Sequence, residues 1–139
     1  MSGTDGGGFA VGQRASIAKT ITEADVLLFA AVSLDTNPVH LDAEAAKASP
    51  FGERVAHGML SAGLISAVLG TKLPGPGAVY LGQTLKFRAP VRIGDTVTAT
   101  AEALTWDAGS RRATLRTTCT VAGKVVIEGE AMVLLPAPA

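Results

Sequence analysis

A chain of 139 residues and 14.1 kDa fits one domain of about 100 to 150 residues. Twelve Lys and Arg oppose twelve Asp and Glu, a formal net charge of zero, so no charge excess drives tight binding to nucleic acid or to an anionic membrane surface. With 47% apolar, 17% charged and only 4% aromatic residues, the composition is that of a folded protein whose core is built from Ala, Val, Leu and Ile rather than from rings.

The single cysteine, Cys119, excludes an intramolecular disulfide and leaves too few thiols for a structural zinc or iron–sulfur site; a reducing compartment is expected. Met1 to Gly8 lacks a basic start followed by an apolar stretch, and the most apolar segment, Met59 to Leu69, is shorter than the roughly 20 residues of a bilayer span. A cytoplasmic, soluble protein is the expectation.

In chain order, residues 1–10 (MSGTDGGGFA) read as a mobile tail, with one domain expected over 11–139. A short strand is expected over Arg14 to Thr20. Thr22-Glu23-Ala24-Asp25 resembles a capping box opening a helix through Val26 to Val32. Pro38 disfavours helical geometry at Asn37, so Asp35 to His40 is expected to be a loop. Asp42 caps a second short helix, Ala43 to Ala48, closed by Ser49-Pro50. The segment from Gly58 to Leu69 is almost wholly apolar or small, with Gly70 in the C-cap position. It predicts a helix apolar on every side, which needs neighbours on every side. After the turn Pro74-Gly75-Pro76-Gly77, four alternating segments follow. Their inward sets are Val79, Leu81, Leu85 and Phe87; Val97, Ala99, Ala101 and Ala103; Leu115, Thr117, Cys119 and Val121; Val125, Ile127, Ala131 and Val133. Asp107-Ala108-Gly109-Ser110 and Ala122-Gly123 supply hairpin connections. The class is α+β, an antiparallel five-stranded sheet wrapped around one long central helix, with helical segments inserted before it.

Both histidines and the only asparagine lie between residues 35 and 57. Asp35-Thr36-Asn37-Pro38-Val39-His40 puts a carboxylate and an imidazole around a bend stiffened by proline, an arrangement suited to acid–base work in one pocket. His57-Gly58 then starts the central helix, whose unpaired N-terminal N–H groups can receive a developing negative charge, and Gly58 has no side chain to block a close approach. His57 itself is read as a capping or hydrogen-bonding residue, Cys119 as a small buried hydrophobe, and the His40, Asp42 and His57 set as lacking any recognised metal-ligand spacing.

Asp35-Thr36-Asn37-Pro38-Val39-His40-Leu41-Asp42, then Phe51-Gly52 and Val55-Ala56-His57-Gly58-Met59-Leu60, resemble the signature of the MaoC-like (R)-specific enoyl-CoA hydratases. The likeness is nearest to the short bacterial single-domain form that feeds polyhydroxyalkanoate synthesis, and extends from Val11 to Leu135. The resemblance implies a hot-dog fold and hydration of trans-2-enoyl-CoA to (R)-3-hydroxyacyl-CoA by a homodimer, with no metal or other cofactor. It makes Asp35 and His40 the catalytic pair, gives the Gly58 N–H the thioester oxygen, and puts Ser66 at the site. Asp35 is expected to be the base, partly buried beside apolar residues, and His40 to orient the attacking water. Asn37 is expected to brace the loop and line the site, and Leu69 to help set acyl chain length, while Lys86, Arg88 or Arg92 are candidates to meet the CoA phosphates. The alternatives are a 3-hydroxyacyl-thioester dehydratase acting on acyl carrier protein, a thioesterase of the same fold, which would not need the Asp35 and His40 pairing, and a non-catalytic acyl-CoA-binding protein.

Overall fold

The computed structural model describes residues 8–137. Its elements run β1 (Arg14–Thr20), α1 (Glu23–Ser33), α2 (Pro38–Leu41), α3 (Ala43–Lys47), α4 (Gly58–Thr71), β2 (Val79–Gln83), β3 (Lys86–Phe87), β4 (Thr96–Asp107), β5 (Arg112–Val121) and β6 (Lys124–Leu134). The strands form one antiparallel sheet in the order β1-β4-β5-β6-β2, with β3 also on β6. Helix α4 packs on its inner face against β1, β2, β4 and β5. Ala99, Ala101, Ala103 and Ala113 are buried there, and their small side chains let the helix lie close to the sheet while Ile65, Val68 and Leu69 fill the space between.

Several expectations are corrected. The first segment after the proline turn is two strands, making six rather than five. Residues 84–85 step out of register because Thr84 passes directly over Gly129: a Cβ built on Gly129 would stand 1.8 Å from the Thr84 carbonyl oxygen. On β6 it is Val126 that is buried, while Val125 is exposed, since a bulge puts an extra residue between the pairs Cys119↔Ile127 and Thr120↔Val125. The loop after α1 contains a helical turn, α2, because Pro38 occupies its first turn, where a missing N–H costs nothing, and Asn37 caps it. Gly70 lies inside α4; the cap is Lys72. Residues 1–7 of the expected tail lie outside the described residues, but Phe9 is buried and packs edge-on against Trp106, ring centres 5.8 Å apart, so the folded chain starts before Val11.

Helix α4 is not covered all round. Met59, Gly63, Ser66 and Gly70 form an exposed stripe along it. Val79, Leu81 and Phe87, expected to face inward, are exposed as well, because β2 and β3 lie at the free edge of the sheet beyond β6. The Thr22 capping box is present as expected: the Asp25 N–H donates to Thr22 Oγ1 and the Thr22 N–H to the Asp25 carboxylate. That backbone donor at Thr22, with the ammonium of Lys19 alongside, holds the Asp25 carboxyl below its usual range.

Candidate active site

Helix α1 ends at Leu34 in the left-handed conformation (φ 65°), its N–H returned to the Ala30 carbonyl, which turns the chain sharply into Asp35. The Asp35 N–H donates to Ser33 Oγ, and the Asn37 N–H donates to Asp35 Oδ1, so one carboxylate oxygen organises the bend and Oδ2 remains toward the site. Asn37 braces the next turn as expected: its Oδ1 accepts the Val39 N–H and its carbonyl the His40 N–H.

His40 is buried. Its Nδ1 lies 2.7 Å from the Val55 carbonyl oxygen, an acceptor only, so Nδ1 carries a proton and Nε2 is left to face the site, where it presents a lone pair whenever the ring is neutral. Nε2 stands 4.0 Å from Asp35 Oδ2. The two side chains therefore point toward one another. The Asp35 side chain is 50% exposed, more open than expected, because none of the described residues covers the α1–α2 bend.

The 54–56 segment anchors this arrangement. The Val55 N–H donates to the Val39 carbonyl, Ala56 N–H to Val91, and Arg54 Nε to the His40 carbonyl at 2.7 Å while its Nη1 pairs with Glu23 at 2.9 Å. His57 follows, then Gly58 at the first position of α4. Among the described residues the Gly58 N–H makes no hydrogen bond, as the first turn of a helix allows. The Gly58 Cα lies under the Phe87 ring, leaving no room for a side chain: a Cβ there would be 2.5 Å from Cε1.

His40, Asn37 and Gly58 line one cleft of about 440 Å³ together with Val39, Phe51, Val55, Phe87, Arg88, Val91 and Ile127. Asp35 does not line this cleft; its Oδ2 stands 4.0 Å from Nε2 of His40, which does. The walls are apolar, suited to an acyl chain, with a few polar groups at one end. Of the three cationic candidates, Arg88 lines this cleft and pairs with Glu128 at 2.7 Å; Arg92 pairs with Glu53 at 3.1 Å; Lys86 borders a different depression beside Arg116. Ser66 and Leu69 are not brought to the cleft in the single chain. Ser66 opens onto a separate depression of about 470 Å³ with Met59, Tyr80 and Leu81, and Leu69 is buried in the core.

Asp35, His40 and His57 also offer ligand atoms within 4.8 Å of one another. The two imidazoles, however, are stacked, centres 3.9 Å apart and planes 29° from parallel, so their in-plane lone pairs run alongside one another instead of converging as a metal's ligands do. His57, for which the sequence predicts a cap or a hydrogen bond, does hydrogen-bond but makes no side-chain cap.

The MaoC-like domain model matches residues 10–129. The chain belongs to the MaoC-like domain family. It is 64% identical over 126 residues to an (R)-specific enoyl-CoA hydratase of Rhodospirillum rubrum, covering 91% of this chain and 88% of that one. It is 53% identical to a 3-hydroxybutyryl-CoA dehydratase of Methylorubrum extorquens, over 91% of this chain and 80% of the other. Among solved structures, the (R)-hydratase from A. caviae involved in PHA biosynthesis superposes with a TM-score of 0.89 at 44% identity, covering 92% and 98% of the two chains. An unliganded R-hydratase from Pseudomonas aeruginosa gives 0.90 at 48%, covering 96% and 86%. The expected hot-dog architecture is thus the one observed in this MaoC-like chain.

Proposed function

We propose that this MaoC-like protein catalyses the reversible (R)-specific hydration of trans-2-enoyl-CoA to (R)-3-hydroxyacyl-CoA. The observation that carries the reading is the opposition of His40 Nε2 and Asp35 Oδ2 across 4.0 Å, beside an apolar cleft that also contains the free Gly58 N–H. Relatives named for this reaction, and for dehydration of the corresponding hydroxyacyl thioester, support it.

Two acceptors at that separation can each lie about 2.8 Å from a single water that donates one hydrogen to each. The water's lone pair is then free to attack C3 of the enoyl thioester. Asp35 takes the proton released, the Gly58 N–H and the positive end of α4 stabilise the enolate oxygen, and Asp35 returns the proton to C2 on the same face. His40 stays neutral and orients the water. No redox or metal chemistry is required by this scheme.

The protein is proposed to act as a cytoplasmic homodimer. The open edge at β2, the exposed Val79, Tyr80 and Leu81, and the stripe from Met59 to Gly70 form one uncovered apolar region that a second copy would bury. Such a copy would roof the depression holding Ser66, through which Ser66 is proposed to influence the acyl chain; Leu69, buried in the core, does not face that depression. No helix is long and apolar enough to cross a membrane among the described residues.

Purified protein mixed with crotonyl-CoA is expected to lower the conjugated enoyl absorbance to an equilibrium value without releasing free thiol, yielding the (R) product on chiral analysis. Thiol release would establish a thioesterase, and no change in either signal a binding protein. The same assay on crotonyl-acyl carrier protein decides between carriers.

A further inference from the structure

We infer that His57 is the positioning residue that holds base, imidazole and oxyanion donor in one geometry, an inference that rests on the hydratase reading above. Its side chain is 2% exposed and does not line the cleft, so it acts through others. Nε2 lies 2.9 Å from the Asp35 carbonyl oxygen; a carbonyl only accepts, so Nε2 carries the proton and fixes the backbone of the base. One face of the ring stacks on His40 at 3.9 Å, while Phe29 packs against it at 4.8 Å. The side chain thus contacts the backbone of Asp35 and the ring of His40, and the residue's own backbone leads into the Gly58 N–H.

A second observation separates this role from plain packing. With Nε2 protonated, Nδ1 is a bare acceptor, buried, and without a hydrogen-bond partner among the described residues. A buried acceptor left unpaired costs stability. Phenylalanine would remove that cost while keeping an aromatic ring against Phe29 and His40, so packing alone does not account for the unpaired nitrogen. What phenylalanine lacks is the N–H that holds Asp35. Glutamine has the N–H but no ring to stack on His40.

The experiment compares wild type, His57→Phe, His57→Gln and Asp35→Asn with crotonyl-CoA, each rate normalised to the folded fraction, alongside thermal melts. His57→Phe loses the unpaired Nδ1 and the bond to the Asp35 carbonyl together, so it is expected to melt within a few degrees of wild type while kcat falls at least about tenfold and KM changes less than threefold, because the substrate-lining residues are untouched. His57→Gln, which restores the donor, is expected to recover part of that loss. A wild-type kcat in both His57 variants, or a loss of kcat matched by a lowered melting point in both, overturns the inference. If Asp35→Asn is also fully active, the hydratase reading fails with it; if Asp35→Asn alone is inactive, that reading stands and only the role of His57 falls.

Discussion

The ring edge of Phe87 lies directly over the Cα of Gly58, so close that a methyl group there would sit 2.5 Å from Cε1 and 2.6 Å from Cδ1. Phe87 is 53% exposed, and the clashing atoms belong to its side chain rather than to backbone. Gly58→Ala should therefore fold, the ring swinging aside into the cleft that it already lines. The expected result is a KM for crotonyl-CoA raised at least about tenfold, with unfolding free energy within about 1 kcal/mol of wild type. Adding Phe87→Ala should restore substrate binding, which steady-state kinetics on the double variant checks.

Gly129 offers the opposite outcome at a site remote from chemistry. There the clash is with backbone, the Thr84 carbonyl oxygen at 1.8 Å and its carbon at 2.7 Å, and no side chain can swing away. Gly129→Ala is expected to lose about 2 kcal/mol or more in urea unfolding, with the 84–85 step pushed off β6.

Much of this architecture is legible in the residues. The Thr22 capping box, the Asp42 cap and the alternation along β4 are local signals, each fixed by a side chain's reach to its own backbone or by the two-residue period of a strand. The Asp35, Asn37, Pro38 and His40 order likewise announces the bend and its paired groups. What escapes is non-local. The step at residues 84–85 is caused by Gly129, far along the chain, and the bulge that exchanges Val125 for Val126 is set by pairing with β5. The position of His57 over His40 depends on the 54–56 segment crossing between Val39 and Val91. A histidine next to a helix start carries no mark of which ring it will meet. Exposure of Val79, Leu81 and Phe87 follows from strand order, which alternation does not encode.

Cys119 gives a pH test of the core. It is fully buried against α4, its Sγ 3.5 Å from the Ser61 carbonyl oxygen, and burial pushes its thiol up from 9.0 to about 12. The unfolded chain loses this proton near pH 9 while the folded chain keeps it, so the thiol's contribution is fully present below pH 9 and is lost as pH rises toward 12. Unfolding free energy of wild type should fall relative to Cys119→Ala by up to about 1.4 kcal/mol per pH unit across that window. In the native state at pH 8, Cys119 should resist alkylation by iodoacetamide; equal labelling of native and unfolded protein would show the thiol to be accessible.

The hydration rate of Asp35→Asn decides the central claim. Asparagine keeps the shape of the bend and an oxygen for the Asn37 N–H, but cannot take a proton from water. With crotonyl-CoA as substrate, kcat is expected to fall about a thousandfold or more while KM and the melting temperature stay close to wild type. A variant that hydrates crotonyl-CoA at the wild-type rate would contradict the assignment of Asp35 as the base.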